Sequence, residues 1–217
     1  MYQPPHFIES RPDVLHALMR AHPLGLLVSS GPEGPVADAL PFLLDTDHPP
    51  HGRLRAHLAR ANPHWRLLAA HSETPVLVVF QGVDSYITPT WYETKRETGK
   101  VVPTWNYAMV QVRGRARVVE DRTWLAGQIA ELTRTHEANR AEPWKVADAP
   151  GDYIEAQLKG IVGLEIEIAG ISGKWKVSQN RPLADRRGVA EGLDTQGDCE
   201  AARMAHLVRN YGGLSDT

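Results

Sequence analysis

The chain has 217 residues, with 24 Lys and Arg against 26 Asp and Glu, ten His and one Cys. That length suits one domain, or one domain with an appended helical piece, that buries a real core without metal or disulfide staples, and the lone Cys199 excludes an internal disulfide and a Cys-rich zinc module. A net charge of −2 argues against a strongly basic nucleic-acid binder. Residues 13–22 place Val14, Leu15, Leu18 and Met19 at helical spacing, with Ser10 or Asp13 as cap and Pro23 as stop. Two apolar runs at 24–29 and 36–44 flank a Gly- and Pro-rich turn and read as a β-hairpin. A strand at 53–58 leads into a short helix at 62–70, capped by Asn62 with Pro63 in its first turn.

Residues 76–80 are a continuous apolar strand, with 85–88 as its hairpin partner. The charged stretch 92–99 reads as a loop. From 105 to 119, Val110, Val112, Gly114, Ala116 and Val118 alternate with Gln111, Arg113, Arg115 and Arg117, a long strand with one wet face. Helices at 123–136 and 152–159 follow, then a second alternating strand at 162–169. Its Glu165 and Glu167 would pair across strands with the arginine stripe if the two strands are neighbours, the alternative being a phosphate or nucleic-acid role for those arginines. Residues 181–197 read as polar and turn-rich, and 198–210 as a last helix. The sum predicts a mainly β protein, a β-barrel with peripheral helices. No apolar run approaches a membrane span and the N-terminus lacks a signal-peptide pattern, so a soluble cytoplasmic protein is expected.

Four segments stand apart from ordinary core or loop. Residues 57–65 join a strand end, Arg60 and a helix start; His57, Arg60 and Asn62 there suit a phosphate, or form an ordinary strand-to-helix junction. Residues 86–92 and 101–107 share a Pro-Thr-Trp core. Thr88, Pro89, Thr90 and Trp91 in the first, and Thr104, Trp105 and Asn106 in the second, offer hydroxyls, an amide and flat indole walls. In the fourth, an extended 174–178 would put Lys174, Lys176 and Ser178 on one side and Trp175 on the other, with Gln179 following. Six Trp against three Phe is an unusual balance, and Trp65, Trp91, Trp105 and Trp175 all fall in these segments. No phosphate-loop, GxGxxG, GxSxG or HExxH pattern is present, and no metal site is expected from the dispersed His.

Taken with the start Met1-Tyr2-Gln3-Pro4-Pro5-His6-Phe7, these four segments resemble, in order, the PaiB family of FMN-binding negative transcriptional regulators. The resemblance implies an FMN-binding split barrel, homodimeric, with the flavin at the subunit interface. Residues 1–192 would form that domain, including its inserted helices, and 193–217 a C-terminal helical extension packed on it. It implies FMN as cofactor, with His57, Arg60 and Asn62 on the phosphate side. The Thr88–Trp91 and Thr104–Asn106 segments would border the ring or ribityl chain, and Lys174, Lys176, Ser178 and Gln179 would reach the site from either subunit. Catalytic residues are not implied. The alternatives are an FMN-dependent oxidoreductase acting on a small molecule or nicotinamide donor, and a heme-binding split-barrel protein. DNA binding stays open, without support from the net charge.

Overall fold

The computed structural model describes residues 1–214. A 3-10 turn, Pro5–Phe7, leads to β1 (Ile8–Glu9) and to α1 (Pro12–Ala21). Next come β2 (Leu24–Gly31), β3 (Gly34–Pro41), β4 (Leu43–Asp45), β5 (Arg53–Ala59) and α2 (His64–Ala70). Then follow β6 (Pro75–Ile87), a 3-10 turn Pro89–Trp91, α3 (Glu93–Thr98), β7 (Thr104–Val119) and α4 (Arg122–Glu137). The chain continues through a 3-10 turn Val146–Asp148 to α5 (Gly151–Lys159), β8 (Ile161–Lys176), α6 (Leu183–Asp194) and α7 (Cys199–Gly212). None of the helices among the described residues is long and apolar enough to cross a membrane.

The chain divides into two compact units. The first comprises Met1–Ala21, Gln81–Val110 and the chain from Ser172 onward; the second comprises His22–Phe80 and Gln111–Ile171. The strands pair in the order β3-β2-β6-β7-β8-β5-β4. The hairpin β2–β3 runs in register from Leu24↔Pro41 to Gly31↔Gly34, and β5 pairs antiparallel with β8 from Arg53↔Glu167 to Ala59↔Ile161. In the first unit β1 pairs antiparallel with the end of β8, Ile8↔Lys174. The mainly β architecture with peripheral helices is the one the alternating patterns predict.

Four local expectations are corrected. Residues 85–88 do not fold back on 76–80; they continue β6, a single strand of 13 residues. Gly82 serves close approach instead of a turn: a Cβ there would stand 2.9 Å from Leu18 Cδ1. The charged stretch after Tyr92 is helix α3, held from outside by Asp185, whose carboxylate accepts from Thr94 N–H and Thr94 Oγ1–H at 2.9 Å each. Within 181–197, residues 183–194 are helical. Asp185, Val189, Ala190 and Leu193 of α6 are buried, a helical stripe that the intervening charges and glycines disguise. At the start of α2 the capping position is Pro63, and Asn62 Oδ1 accepts from His64 N–H at 2.9 Å.

The cores follow the strand period. Leu54, Ala56 and Leu58 of β5 and Val162, Leu164 and Ile166 of β8 are all buried. Each such Leu or Ile contributes roughly 1.5–3 kcal/mol on burial. The opposite face of β5 and β8 is polar, yet it is covered by α4. Helix α4 starts on Asp121, whose side chain accepts from Trp124 N–H at 2.7 Å. Trp124 lies over Gly163, where a Cβ would come within 2.3 Å of the indole. Glu165 is 4% exposed and accepts from Arg53 at 3.1 Å, Trp124 Nε1–H at 2.8 Å and Arg117. Arg55 bonds Glu131 of α4 at 2.7 Å. The expected cross-strand pairing is therefore realised for Arg117 and Glu165. Arg115 instead meets Glu73, at 3.5 Å, and Glu167 faces His48.

In the first unit, β1 is tied to α7. Glu9 Oε1 accepts from Arg11 N–H and Nε–H, and Oε2 accepts from Arg11 and from the Tyr211 hydroxyl. Burial opposes ionisation of Glu9, but these hydrogen bonds outweigh it and lower its pKa from 4.5 to about 2. The folded pKa lies below the unfolded one, so the stabilisation is full above about pH 4.5 and is lost as pH falls toward 2.

Two predictions follow from these tethers. In denaturant titrations across pH 2–6, Glu9→Gln is expected to remove on the order of 3 kcal/mol of acid-dependent stability, making the acid limb shallower than in wild type. Glu165→Gln is expected to lower the unfolding free energy by about 3 kcal/mol at neutral pH, because two guanidinium groups lose their buried counter-charge.

Candidate functional site

The first unit holds eleven of the residues singled out in the sequence. Thr88 Oγ1 accepts from Thr90 N–H at 3.2 Å and donates to Thr90 Oγ1 at 3.1 Å, closing the 3-10 turn around Pro89. The Trp91 indole packs on α6 at Gly192. The next residue, Tyr92, is 1% exposed, with the Arg181 guanidinium 4.8 Å above its ring. Burial raises the Tyr92 pKa, which keeps the phenol protonated.

Thr104, Trp105 and Asn106 open β7 opposite the end of β8. Lys176 Nζ donates to Thr104 Oγ1 at 2.5 Å and to the Trp105 carbonyl. Asn106 Nδ2 donates to Ser178 Oγ at 2.9 Å, and the Ser178 hydroxyl lies 3.3 Å from Asn106 Oδ1; both residues are buried. Ser178 has φ 66°, so it leaves the strand and does not continue the face of Lys174 and Lys176. Gln179 braces the turn, accepting from Val177 N–H at 2.8 Å and donating to the Trp175 carbonyl at 2.5 Å.

Lys174 is 8% exposed, with Nζ 5.3 Å from the Tyr107 ring centre and 5.5 Å from that of Tyr2. Burial, and then the neighbouring Lys174 and Arg181, push the Lys176 pKa down. Among the described residues none of Lys174, Lys176 and Arg181 forms an ion pair with a carboxylate, so this end of the unit carries uncompensated positive charge. Beside it is a cavity of about 430 Å³ walled by Tyr2, Trp105, Tyr107, Met109 and Lys174. Asp84 also lines it, and accepts from Gln81 Nε2–H at 3.0 Å. Tyr2, Tyr86 and Trp105 are exposed by 82%, 48% and 55%, and the Tyr86 and Trp105 rings meet edge to face at 6.0 Å.

His57, Arg60 and Asn62 belong to the second unit. His57 Nδ1–H donates to Gln128 Oε1 at 2.8 Å. Gln128 Nε2 is buried with no hydrogen-bond partner among the described residues, a donor to spare beside the imidazole. Arg60 is more committed: it bonds Glu120 at 2.6 Å and the carbonyls of Lys159 and Ile161 at 3.1 and 3.3 Å. Trp65 Nε1–H donates to the Arg60 carbonyl, and its ring lies under Arg60 and Arg66.

One buried network links β2, β3 and α2. Ser29 Oγ stands 2.7 Å from His64 Nε2, and His64 Nδ1–H donates to Asp38 Oδ2 at 2.6 Å. These atoms match the order of a hydrolytic triad. However, Ser29 is 7% exposed and the cavity beside it is only about 10 Å³, room for roughly one water. The network satisfies both nitrogens of a buried imidazole and braces α2 against β2 and β3. Sequence spacing could not reveal it, because the three residues come from three separate elements.

Comparison with known proteins sets the class. The FAD and heme binding protein from Mycobacterium smegmatis superposes with TM-score 0.56 at 17% identity, over 78% of this chain and 73% of that one. The fold is the split barrel of flavin-binding proteins. Residues 1–170 match the family described as "Putative FMN-binding domain". The chain is 31% identical to Protease synthase and sporulation protein PAI 2 of Bacillus subtilis over 210 residues, 97% of each. It is 36% identical over 241 aligned positions, 96% of each chain, to an uncharacterized protein of Emericella nidulans. The chain belongs to the PaiB family of FMN-binding proteins, and its cofactor is FMN.

The first unit's donor set fits that group. FMN presents a dianionic phosphate and a flat ring; the unit offers uncompensated cations next to indole and phenol walls. Three of the four Trp in the singled-out segments have other work: Trp65 under arginines, Trp91 on α6, and Trp175 stacked on Tyr211 at 6.4 Å. Of the four, only Trp105 lines the cavity. Trp105→Ala is therefore expected to cost less than about 1 kcal/mol of stability while weakening flavin uptake. Trp91→Ala should cost about 2–4 kcal/mol. Chemical denaturation alongside flavin titration separates the two.

Proposed function

We propose that the protein is an FMN-binding regulator of the PaiB type that holds the flavin on the cationic, indole-bearing face of its first unit, where two copies meet. The observation that carries this reading is the cluster of Lys174, Lys176 and Arg181, which lacks a carboxylate partner among the described residues and adjoins the aromatic-walled cavity. In this reading Lys174 and Lys176 take the phosphate, and Trp105 and Tyr107 flank the ring. Asn106, Ser178 and Gln179 fix the backbone that carries the lysines. FMN, when bound, supplies hydride and one-electron chemistry; the chain's own groups orient it and limit water around it.

Support for the dimer is the exposure of Tyr2, Tyr86, Trp105 and Val102 in the first unit, apolar surface of the kind a second copy covers. Support for a regulatory role is the likeness to the Bacillus subtilis sporulation protein. Its test is a transcript profile of a strain in which Lys176→Met replaces the wild-type chain. An unchanged profile in a strain lacking the protein altogether would reject regulation.

The binding assignment is tested by comparing FMN with riboflavin. Lys176→Met is expected to weaken FMN by about tenfold or more and riboflavin little, since the lost contact is charge-assisted and made to phosphate. If Arg60→Ala shows that discrimination and Lys176→Met does not, the phosphate belongs to the second unit and the assignment fails. Sedimentation of wild type and Trp105→Glu checks the dimer: the variant should be monomeric.

A further inference from the structure

A large cavity apart from the flavin-directed residues lies wholly in the second unit, between the C-terminal half of α4, the chain that follows it and the start of α5. It measures about 840 Å³, within the range of sites that hold small organic ligands, roughly 300–1,000 Å³. Its walls are apolar, including Ala130, Pro143, Val146 and Ile154. Trp144 also lines it and is 47% exposed, a large indole left uncovered along the groove. None of the residues assigned to the flavin lines it.

Charge decides what would enter. Four charged residues reach the cavity: Arg134, Glu137, Lys145 and Glu155. The two carboxylates are already engaged. Glu137 accepts from Arg140 Nε–H at 2.9 Å and from Trp144 N–H at 3.1 Å, and Glu155 is held by Arg122. The two cations have no ion-pair partner among the described residues. An apolar hollow with two unmatched cations and two neutralised anions selects an apolar molecule with one anionic head. A neutral or cationic ligand of the same body would leave those cations unused or repel them.

We infer that this cavity is a second small-molecule site, for a free apolar carboxylate with an aliphatic or aryl body. The body lies against Trp144, Val146 and Ile154, and the carboxylate is held by Arg134 and Lys145. In a flavin-binding regulator it would be an effector site with chemistry distinct from the cofactor's.

The test uses decanoate as probe, with decylamine and decan-1-ol as matched comparators, on the full chain loaded with FMN. Equilibrium dialysis of radiolabelled decanoate is expected to show saturable uptake at submillimolar concentration. The preference over decylamine should be about tenfold or more, the scale of a charge-assisted contact. Arg134→Gln combined with Lys145→Gln should remove that preference, and Ala130→Trp, which fills the hollow, should abolish uptake. All these side chains are exposed, so flavin content and melting temperature should stay unchanged and report that the variants fold. Decanoate should also alter tryptophan fluorescence in wild type and not in Trp144→Phe. Absence of saturable uptake, or equal uptake of acid and amine, overturns the proposal. So does self-association that Ile154→Glu abolishes in a chain that takes up no decanoate, which would assign the groove to a second copy. Because flavin content is read separately, failure here leaves the reading of the flavin site standing.

Discussion

A buried carboxylate organises the second unit. Glu165 sits on the outward face of β8 where alternation would place it in water, but α4 covers that face. An isolated buried charge costs far more than a single hydrophobic contact returns. The fold therefore surrounds Glu165 with Arg53 from β5, Arg117 from β7 and the Trp124 indole N–H from α4. Three strands and a helix are held in one arrangement by one anion. That explains how α4 docks although few of its apolar residues are fully buried: Leu125 is, and so is the polar Gln128. The same seam fixes His57, which faces Gln128 across it. A polar seam also has a strict register, since sliding β5 by one residue would swap Arg53 and Arg55 for Leu54.

The first unit treats charge in the opposite way. Glu9 is compensated to excess by Arg11 and Tyr211, while Lys174, Lys176 and Arg181 are left without an anion. Lys176 already feels the burial and the like charges. A folded protein does not gain stability from such a cluster by itself. Under the proposed assignment, its benefit comes when the dianionic phosphate of FMN supplies the missing charge.

Much of the architecture could be read from periodicity. β7 and the first part of β8 announce themselves through strict alternation, and α5 through Tyr153, Ile154 and Leu158. What stayed hidden has identifiable causes. Gly82 looks like a turn residue, but it serves the passage of Leu18 and Ala108 beside an unbroken strand. Helix α6 mixes Asp185, Arg186, Arg187, Gly188 and Gly192 into its sequence, and a buried Asp185 bonded to Thr94 looks from sequence like a loop residue. For the candidate site, the residues singled out in the sequence fall in both units. Thr104, Trp105, Asn106, Lys174, Lys176, Ser178 and Gln179 do assemble in one unit. His57, Arg60 and Asn62 lie in the other, with Arg60 drawn toward Glu120, a partner sixty residues away that no local pattern could indicate. The tryptophan excess had several origins, since indoles serve equally as arginine platforms, helix spacers and cavity walls.

Ser178 adopts a left-handed backbone conformation without being glycine, and its hydroxyl is tied to Asn106 inside the unit. A serine in that region stores strain of order 1–3 kcal/mol, supplied by the surrounding core. The strand bearing the two lysines is thereby stopped at a set residue before any ligand arrives. Under the proposed assignment, recognition at this end needs little ordering of the backbone, so little of the binding free energy is consumed in arranging the receptor. On that basis, ligand exchange here would be governed by how quickly the anion leaves the lysines more than by how often the chain is in a competent shape.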